Sequence, residues 1–471
     1  MILKYFKEIS KIPRASYKEE KIADYLVDFA KKHNLEFLRD EIHNVIIKKP
    51  GSFGYEQSAP VILQGHTDMV AEKNKDSQHD FDHDPLTLIE EDGWLRAQGT
   101  TLGADDGVAV AYMLAILADL SLEHPPLECV FTVQEEVGLN GAKALDVSGL
   151  KGQRLIGLDA SGEHETTISS SGGSRAYVRF PIKYDRTYKK RITILVKGLK
   201  GGHSGQDIDQ ERGNAIKLAG EIFFNLLKNH EVGLFHVEGG LKENAIPREA
   251  ELVIGTKPEL VDRVLETLEL LEAQIKNVLL VSDENFNLEI IVEDKDTYTL
   301  NHHDNEKVAA LWQLMPYGYF HKSFVIDGLT LSSCNIGTVR TTDNSIDFAL
   351  SVRSPQPYMM NSTKHTIEVA ALLTGAEATF TDGYPGWDYD PSSPLREVLL
   401  ETYRSIYQQE MVLEATHGGL ELGIFKGKIP TLDIVAFGPI SHDIHTPEER
   451  LDIESFKRTY TLLIKLLKNL K

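Results

Sequence analysis

The sequence predicts an α/β protein. A doubly wound mixed sheet forms one domain, and an inserted α+β domain built from two similar ferredoxin-like halves interrupts it. Three observations lead there. The chain has 471 residues, too many for one ordinary core. Apolar strands alternate with helices in its first part and again near its end. Between these stretches a strand–helix–strand–strand–helix order occurs twice. The expected domains are residues 1–186 with 386–471, and the insertion 187–385.

Composition narrows the function classes. Hydrophobic residues make up 41% and charged residues 26%, the balance of a globular protein. The formal net charge of -21 argues against nucleic acid and anionic membranes as main partners. Two cysteines, Cys129 and Cys334, provide no disulfide framework and fit a reducing compartment. Met1 to Glu8 lack the apolar core of a signal peptide. The longest apolar run, Val108 to Ala118, is too short to cross a bilayer. A cytoplasmic location is the expectation.

The elements follow in order. Ser16-x-x-Glu19 reads as a capping box opening a helix to about His33, with Ile22, Leu26 and Phe29 as its apolar stripe. Val45-Ile46-Ile47 is a short strand. Val61-Ile62-Leu63-Gln64-Gly65-His66-Thr67-Asp68 is a buried strand that delivers an imidazole and a carboxylate at its carboxyl end, where ligands sit in open α/β sheets. Residues 71–99 form a long polar segment. His79, Asp80, Asp82, His83 and Asp84 lie in it without an apolar scaffold, so they read as loop residues rather than a metal site. Gly99 to Gly107 form a Gly-rich turn into a helix apolar on almost every face, with Asp105 and Asp106 at its start. The strand Leu127 to Val133 ends in Gln134-Glu135-Glu136, and Leu155 to Leu158 ends in Asp159.

In the insertion, the first copy holds the strand Arg191 to Val196, the helix Asn214 to Leu227, two strands and a helix from Pro258. The second begins with the strand Asn287 to Val292. The tail carries the helix Pro394 to Tyr407, the strand Leu432 to Phe437 and a last amphipathic helix. It reads as the completion of the first sheet.

His66, Asp68, Asp105, Glu135, Glu136, Asp159 and His445 all lie at strand ends, helix starts or the loops that follow. Imidazole and carboxylate donors without cysteine suit zinc, manganese or cobalt at a hydrolytic site. Five first-rank ligands exceed what one tetrahedral zinc needs, and two ions sharing a carboxylate would use them all. Adjacent glutamates cannot point the same way from an extended strand, so one of Glu135 and Glu136 is expected to bind metal while the other faces the reacting water. Asp68 suits the far nitrogen of His66.

The ordered pieces Gln64-Gly65-His66-Thr67-Asp68-Met69-Val70, Arg96 to Asp105, Gln134-Glu135-Glu136, Gly201-Gly202-His203-Ser204-Gly205, Asn244-Ala245-Ile246-Pro247-Arg248 and His445-Thr446-Pro447-Glu448-Glu449 closely resemble bacterial aminoacyl-histidine dipeptidases. These belong to the dinuclear-zinc family that includes aminoacylases and carboxypeptidase G-type enzymes. The resemblance runs nearly the full length. It implies Asp105 as bridging carboxylate, His66 and Asp159 completing one zinc site, and Glu136 and His445 completing the other. It implies Glu135 as general base and Asp68 as the residue orienting His66. His203, from the inserted lid, would stabilise the oxyanion, and Asn244 and Arg353 would hold the C-terminal carboxylate of a small peptide. Glu421, in His417-Gly418-Gly419-Leu420-Glu421, is a further expected substrate contact.

Two residues depart from the pattern. Asp106 stands where relatives usually have Asn, and Leu422 where they often have Cys. The doubled lid implies that His203 can serve its own chain, so monomer and homodimer both stay open. The rival readings are an aminoacylase or tripeptidase on the same scaffold, or a non-catalytic metal- or peptide-binding protein.

Overall fold

The structure is a computed structural model that describes residues 1–471. The chain divides into two compact units. The first comprises Met1–Ser170, Trp387–Ala415 and Leu420–Lys471, and the second Ser171–Gly386 and Thr416–Gly419. The first division falls earlier than the expected boundary at 187. Gly172–Pro181 pairs with Ser345–Ser354 in the second unit's sheet, which draws it out of the first.

The first unit holds an eight-stranded mixed sheet. Its order is Glu36–Arg39, Val45–Lys49, Leu127–Thr132, Val61–His66, Arg154–Gly157, Asp433–Ala436, Glu165–Ser170 and Val412–Thr416. The four middle strands from Leu127–Thr132 to Asp433–Ala436 run parallel. Their carboxyl ends therefore share one edge. Val61–His66 is buried at every position because it has a parallel neighbour on each side. The C-terminal segment supplies Asp433–Ala436 to this sheet.

The helix Ala104–Ala118 is the hub of the core. It is buried on all sides, as its sequence demands. Tyr112 stacks on Phe456 at 4.8 Å, and its hydroxyl donates to the Phe456 carbonyl (2.7 Å). Gly65 lets the helix approach the strand below. A Cβ there would lie 2.3 Å from Ala109 Cβ and 2.4 Å from Asp106 Oδ2.

Several local expectations change. The capping box does not form, and the helix Glu20–Lys32 has no side-chain cap. Both of its members are engaged far along the chain. The Ser16 hydroxyl donates to Asp68 Oδ2 (2.8 Å), and Glu19 Oε1 accepts from the Gln134 N–H (3.0 Å). The polar segment after Asp68 is not all loop. Leu88–Glu91 and Trp94–Ala97 form a hairpin that joins Arg450–Asp452 and Ser441–His442 in a small sheet. Ile2–Ile9 is a further helix with a buried face.

The second unit is built on one sheet, in the order Asn287–Leu300, Tyr184–Lys197, Ala250–Thr256, Val232–Gly239, Thr330–Thr341, Ser345–Ser354, Gly172–Pro181 and Glu377–Phe380. Gly318–Lys322 pairs beside Thr330–Thr341. Asn287–Leu300 was expected to open the second strand–helix copy. It instead pairs antiparallel along Tyr184–Lys197 of the first, with Asn287 opposite Lys197 and Leu300 opposite Tyr184. The helices Ala215–Asn229, Val261–Val278, His302–Leu314 and Pro357–Thr374 complete this core, with Trp312 edge-on to Phe348 at 5.6 Å. No helix of the chain is long and apolar enough to cross a membrane.

Leu114 is fully buried in the hub helix. Leu114→Ala is expected to cost about 2–5 kcal/mol in urea unfolding, and a cost below about 1 kcal/mol would contradict the hub assignment.

Candidate metal centre

Four loops at the parallel strands' carboxyl edge bring the acidic and imidazole groups together, all within the first unit. His66 ends its strand, and its Nε2 lies 2.9 Å from Asp105 Oδ1. Asp105 sits where the hub helix is interrupted, with non-helical backbone angles at Asp105 and Asp106. His445 Nε2 lies 3.2 Å from the other oxygen of Asp105, Oδ2, and 3.0 Å from Glu136 Oε1. One carboxylate thus presents a separate oxygen to each imidazole.

Three groups of potential donor atoms overlap here: His66, Asp106 and Asp159; His66, Glu135 and Glu136; and Asp105, Glu136 and His445. Within each, the donor atoms lie within 4.8 Å of one another. The loop His79–Asp84 contributes to none of them. Its His83 and Asp80 pair with each other on the surface.

The two glutamates do not stand on an extended strand. The strand stops at Thr132, and Gln134 takes a positive φ of 53° that turns the chain. A carboxylate oxygen of each lies within 4.8 Å of a ring nitrogen of His66, and Glu136 Oε1 lies 3.0 Å from His445 Nε2. Asp68 fixes this turn from behind. Its Oδ1 accepts from the Glu135 N–H (3.0 Å) and its Oδ2 from the Glu136 N–H (3.3 Å). Its Oδ1 also lies 3.4 Å from His66 Nδ1.

The electrostatics show what is missing from an all-protein balance. Burial opposes the Asp105 charge, but hydrogen bonds from His445 and His66 hold it far below the usual carboxylate range. Asp105 and Glu136 raise His445 to about 10. Burial and the Asp105 charge push Asp159 up to about 7. Burial likewise lifts Glu135 well above its ordinary value, with Asp159, Glu421 and Glu136 adding to the effect. Too many buried carboxylates face too few cations. Hard oxygen donors with two imidazoles, and a carboxylate presented to both sides, fit two divalent ions.

Asp106 is 1% exposed, and its Oδ2 accepts from the His66 N–H (3.1 Å). It therefore braces the strand end, with a carboxylate oxygen within 4.8 Å of one of Asp159. Leu422, the other departure, packs against Gly157. Glu421, the expected substrate contact, has one oxygen bonded within the sheet and the other, Oε1, without a hydrogen-bond partner. It is 1% exposed, and its Oε2 accepts from Gln64 Nε2 (2.7 Å) and Thr132 Oγ1 (2.5 Å), which binds it to the strands beneath the cluster.

In the second unit, three expected residues come together. Gly202-His203 pairs with Ala245-Ile246, and the Ser204 N–H donates to the Asn244 carbonyl (2.9 Å). Arg353 is 7% exposed, with its Nε 3.4 Å from Ser204 Oγ and its Nη1 3.2 Å from the Tyr384 hydroxyl. His417 is held between the hydroxyls of Ser171 and Ser333.

Sequence reasoning missed Arg14 and gave Ser16 and Glu449 no role at the cluster. Arg14 and Ser16 stand in a short irregular stretch with no periodic signal. Glu449 had one available sign, a carboxylate four residues after His445.

The sequence profile of Peptidase family M20/M25/M40 matches residues 62–469. The chain belongs to this family. The cytosol non-specific dipeptidase of Escherichia coli (strain K12) is 34% identical over 467 residues, covering 99% of this chain and 96% of that protein. The crystal structure of an aminoacylhistidine dipeptidase from Vibrio alginolyticus superposes with a TM-score of 0.91 at 32% identity, covering 99% of this chain and 96% of that one. A Staphylococcus aureus tripeptidase, at 18% identity and a TM-score of 0.59 over 100% of this chain and 97% of its own, shares the fold. Family membership and the donor clusters make the chain a metallopeptidase.

Asp68→Ala removes the acceptor for two N–H groups and the Ser16 hydroxyl. It is expected to lower metal affinity or kcat about 10–100-fold, and a change of less than about twofold in both would show that Asp68 does not support the cluster.

Proposed function

We propose that this chain is a metal-dependent dipeptidase that hydrolyses Xaa-His and related dipeptides, using two divalent ions, zinc first and cobalt or manganese as substitutes. The observation that carries this reading is the Asp105 carboxylate held between His66 and His445. Full-length similarity to two dipeptidases supports it. One of these is named non-specific and the other for aminoacylhistidine, so Xaa-His is taken as part of the range rather than its limit.

His66 and Asp159 would hold one ion and Glu136 and His445 the other, with Asp105 shared. Bound there, the ions would supply Lewis acidity toward the scissile carbonyl and the attacking water. Glu135 would take a proton from the attacking water and return it to the leaving amine. Asp68 holds His66 Nδ1, which leaves Nε2 free as the ligand atom.

The second unit supplies the remaining roles. The Gly205 N–H donates to His203 Nδ1 (3.3 Å), so the ring proton lies on Nε2, the form that donates to an oxyanion. Arg353, with Asn244 near it in the same unit, offers a guanidinium fork to the C-terminal carboxylate.

We also read the second sheet as two ferredoxin-like halves. Asn287–Leu300, Tyr184–Lys197, Ala250–Thr256 and Val232–Gly239 lie in the order fourth, first, third, second. Glu377–Phe380, Gly172–Pro181, Ser345–Ser354 and Thr330–Thr341 repeat that order from the opposite edge. The first half is then inserted after the first strand of the second. One chain carries both halves, which favours a monomer over a homodimer. A cytoplasmic location completes the reading.

A substrate panel with added zinc or manganese tests it: β-Ala-His, other dipeptides, tripeptides and N-acyl amino acids. Dipeptides, Xaa-His among them, are expected to turn over fastest. Preference for tripeptides or N-acyl amino acids would favour the rival enzymes, and no hydrolysis at all a pure binder. Glu135→Gln is expected to keep both metal equivalents while kcat falls at least ~100-fold, and near-normal turnover would remove Glu135 from the role.

A further inference from the structure

Glu449 is 2% exposed and lies four residues beyond His445. Its Oε2 accepts from the N–H groups of Leu102 (2.7 Å) and Gly103 (2.9 Å). Its Oε1 accepts from those of Ala104 (2.8 Å) and Asp105 (3.4 Å). A carboxylate has about four lone-pair sites, and main-chain donors occupy all of them. Glu449 is therefore not a spare metal ligand. It is a clasp on the loop that presents Asp105.

The same loop is gripped by Arg14, which is 1% exposed. Its Nη2 donates to the Gly103 carbonyl (2.5 Å), and its Nη1 donates to the carbonyls of Thr67 (2.9 Å) and Asp68 (3.2 Å). Gly103 thus has its N–H on Glu449 and its carbonyl on Arg14. Gly103 must be glycine for two reasons. Its φ is +67°, and a Cβ would lie 2.5 Å from Arg14 Nη2 and 2.8 Å from Met69 Sδ.

Glu449 also belongs to the loop that carries His445. The Glu449 N–H donates to the Thr446 carbonyl (3.1 Å), and the loop is closed by pairing of Ser441-His442 with Arg450-Leu451. His445 itself takes a positive φ of 65° and is the more exposed of the cluster's two imidazoles. Its short span to Glu449 is what ties it to the Asp105 loop.

We propose that Glu449 is a positioning residue that fastens the Asp105 loop to the His445 loop and thereby sets the affinity of the ion held by Asp105, Glu136 and His445. This rests on the two-ion reading above. A glutamine at 449 cannot substitute, because its NH2 group would face two N–H donors.

The test is a zinc titration of metal-free protein by calorimetry with a competing chelator. The wild type is compared with Glu449→Gln, Glu449→Asp and the surface control Glu448→Gln, with circular dichroism to verify folding. The wild type and Glu448→Gln are expected to bind two equivalents, whereas Glu449→Gln weakens one equivalent at least ~10-fold and the other, which keeps His66 and Asp159, by less. Glu449→Asp keeps the charge but retracts the oxygens, so it is expected to weaken the same equivalent, and it decides the matter if Glu449→Gln does not fold. A folded variant that binds both equivalents as the wild type does, or loses both equally, overturns the proposal. A wild type that binds a single equivalent instead overturns the two-ion reading and the proposal with it.

Discussion

One carboxylate shared between two imidazoles is the constraint that organises the first unit. Asp105 offers Oδ1 to His66 and Oδ2 to His445, residues that lie 39 and 340 positions away. Each partner must be delivered with its nitrogen facing the right oxygen. The parallel strands deliver His66 and bring the turn after Thr132 to the same edge. The hairpin around Ser441–Asp452 delivers His445. The hub helix, buried on all sides, is the fixed body from which Asp105 projects, so disturbing its packing disturbs the cluster.

That arrangement concentrates negative charge where water cannot screen it. Asp105, Asp106, Glu135, Glu136 and Asp159 crowd two imidazoles, and burial raises the cost of every charge. Such a cluster is stable when divalent cations compensate it. The protein's own groups manage the remainder. Asp68 and Glu449 direct their oxygens at main-chain N–H groups, and the buried guanidinium of Arg14 lies among carbonyls. These contacts hold loops.

Much of this was legible in the sequence, and the exceptions share a cause. The strands Val61–His66 and Leu127–Thr132 were visible because burial on both faces leaves continuous apolar runs. The candidate donors His66, Glu135 and Glu136 were visible because they end or follow those runs. For Glu135 and Glu136 the strand period was carried past the strand's end, into a turn where Gln134 has a positive φ. Ser16 and Glu19 fit a local capping pattern, yet their partners are Asp68 and Gln134, and no local pattern encodes a distant acceptor. Asn287–Leu300 was assigned to the wrong half because alternation identifies a strand but not its neighbour. The bonds of Glu421 to Gln64 and Thr132 were not legible beside a Gly-rich turn, since both partners lie hundreds of positions away.

The most direct test of the account is anomalous diffraction from crystals grown with zinc. It predicts two peaks roughly 3.5–4 Å apart with the Asp105 carboxylate between them, one beside His66 and Asp159 and the other beside Glu136 and His445. A single peak, or one at the His79–Asp84 loop, would contradict it.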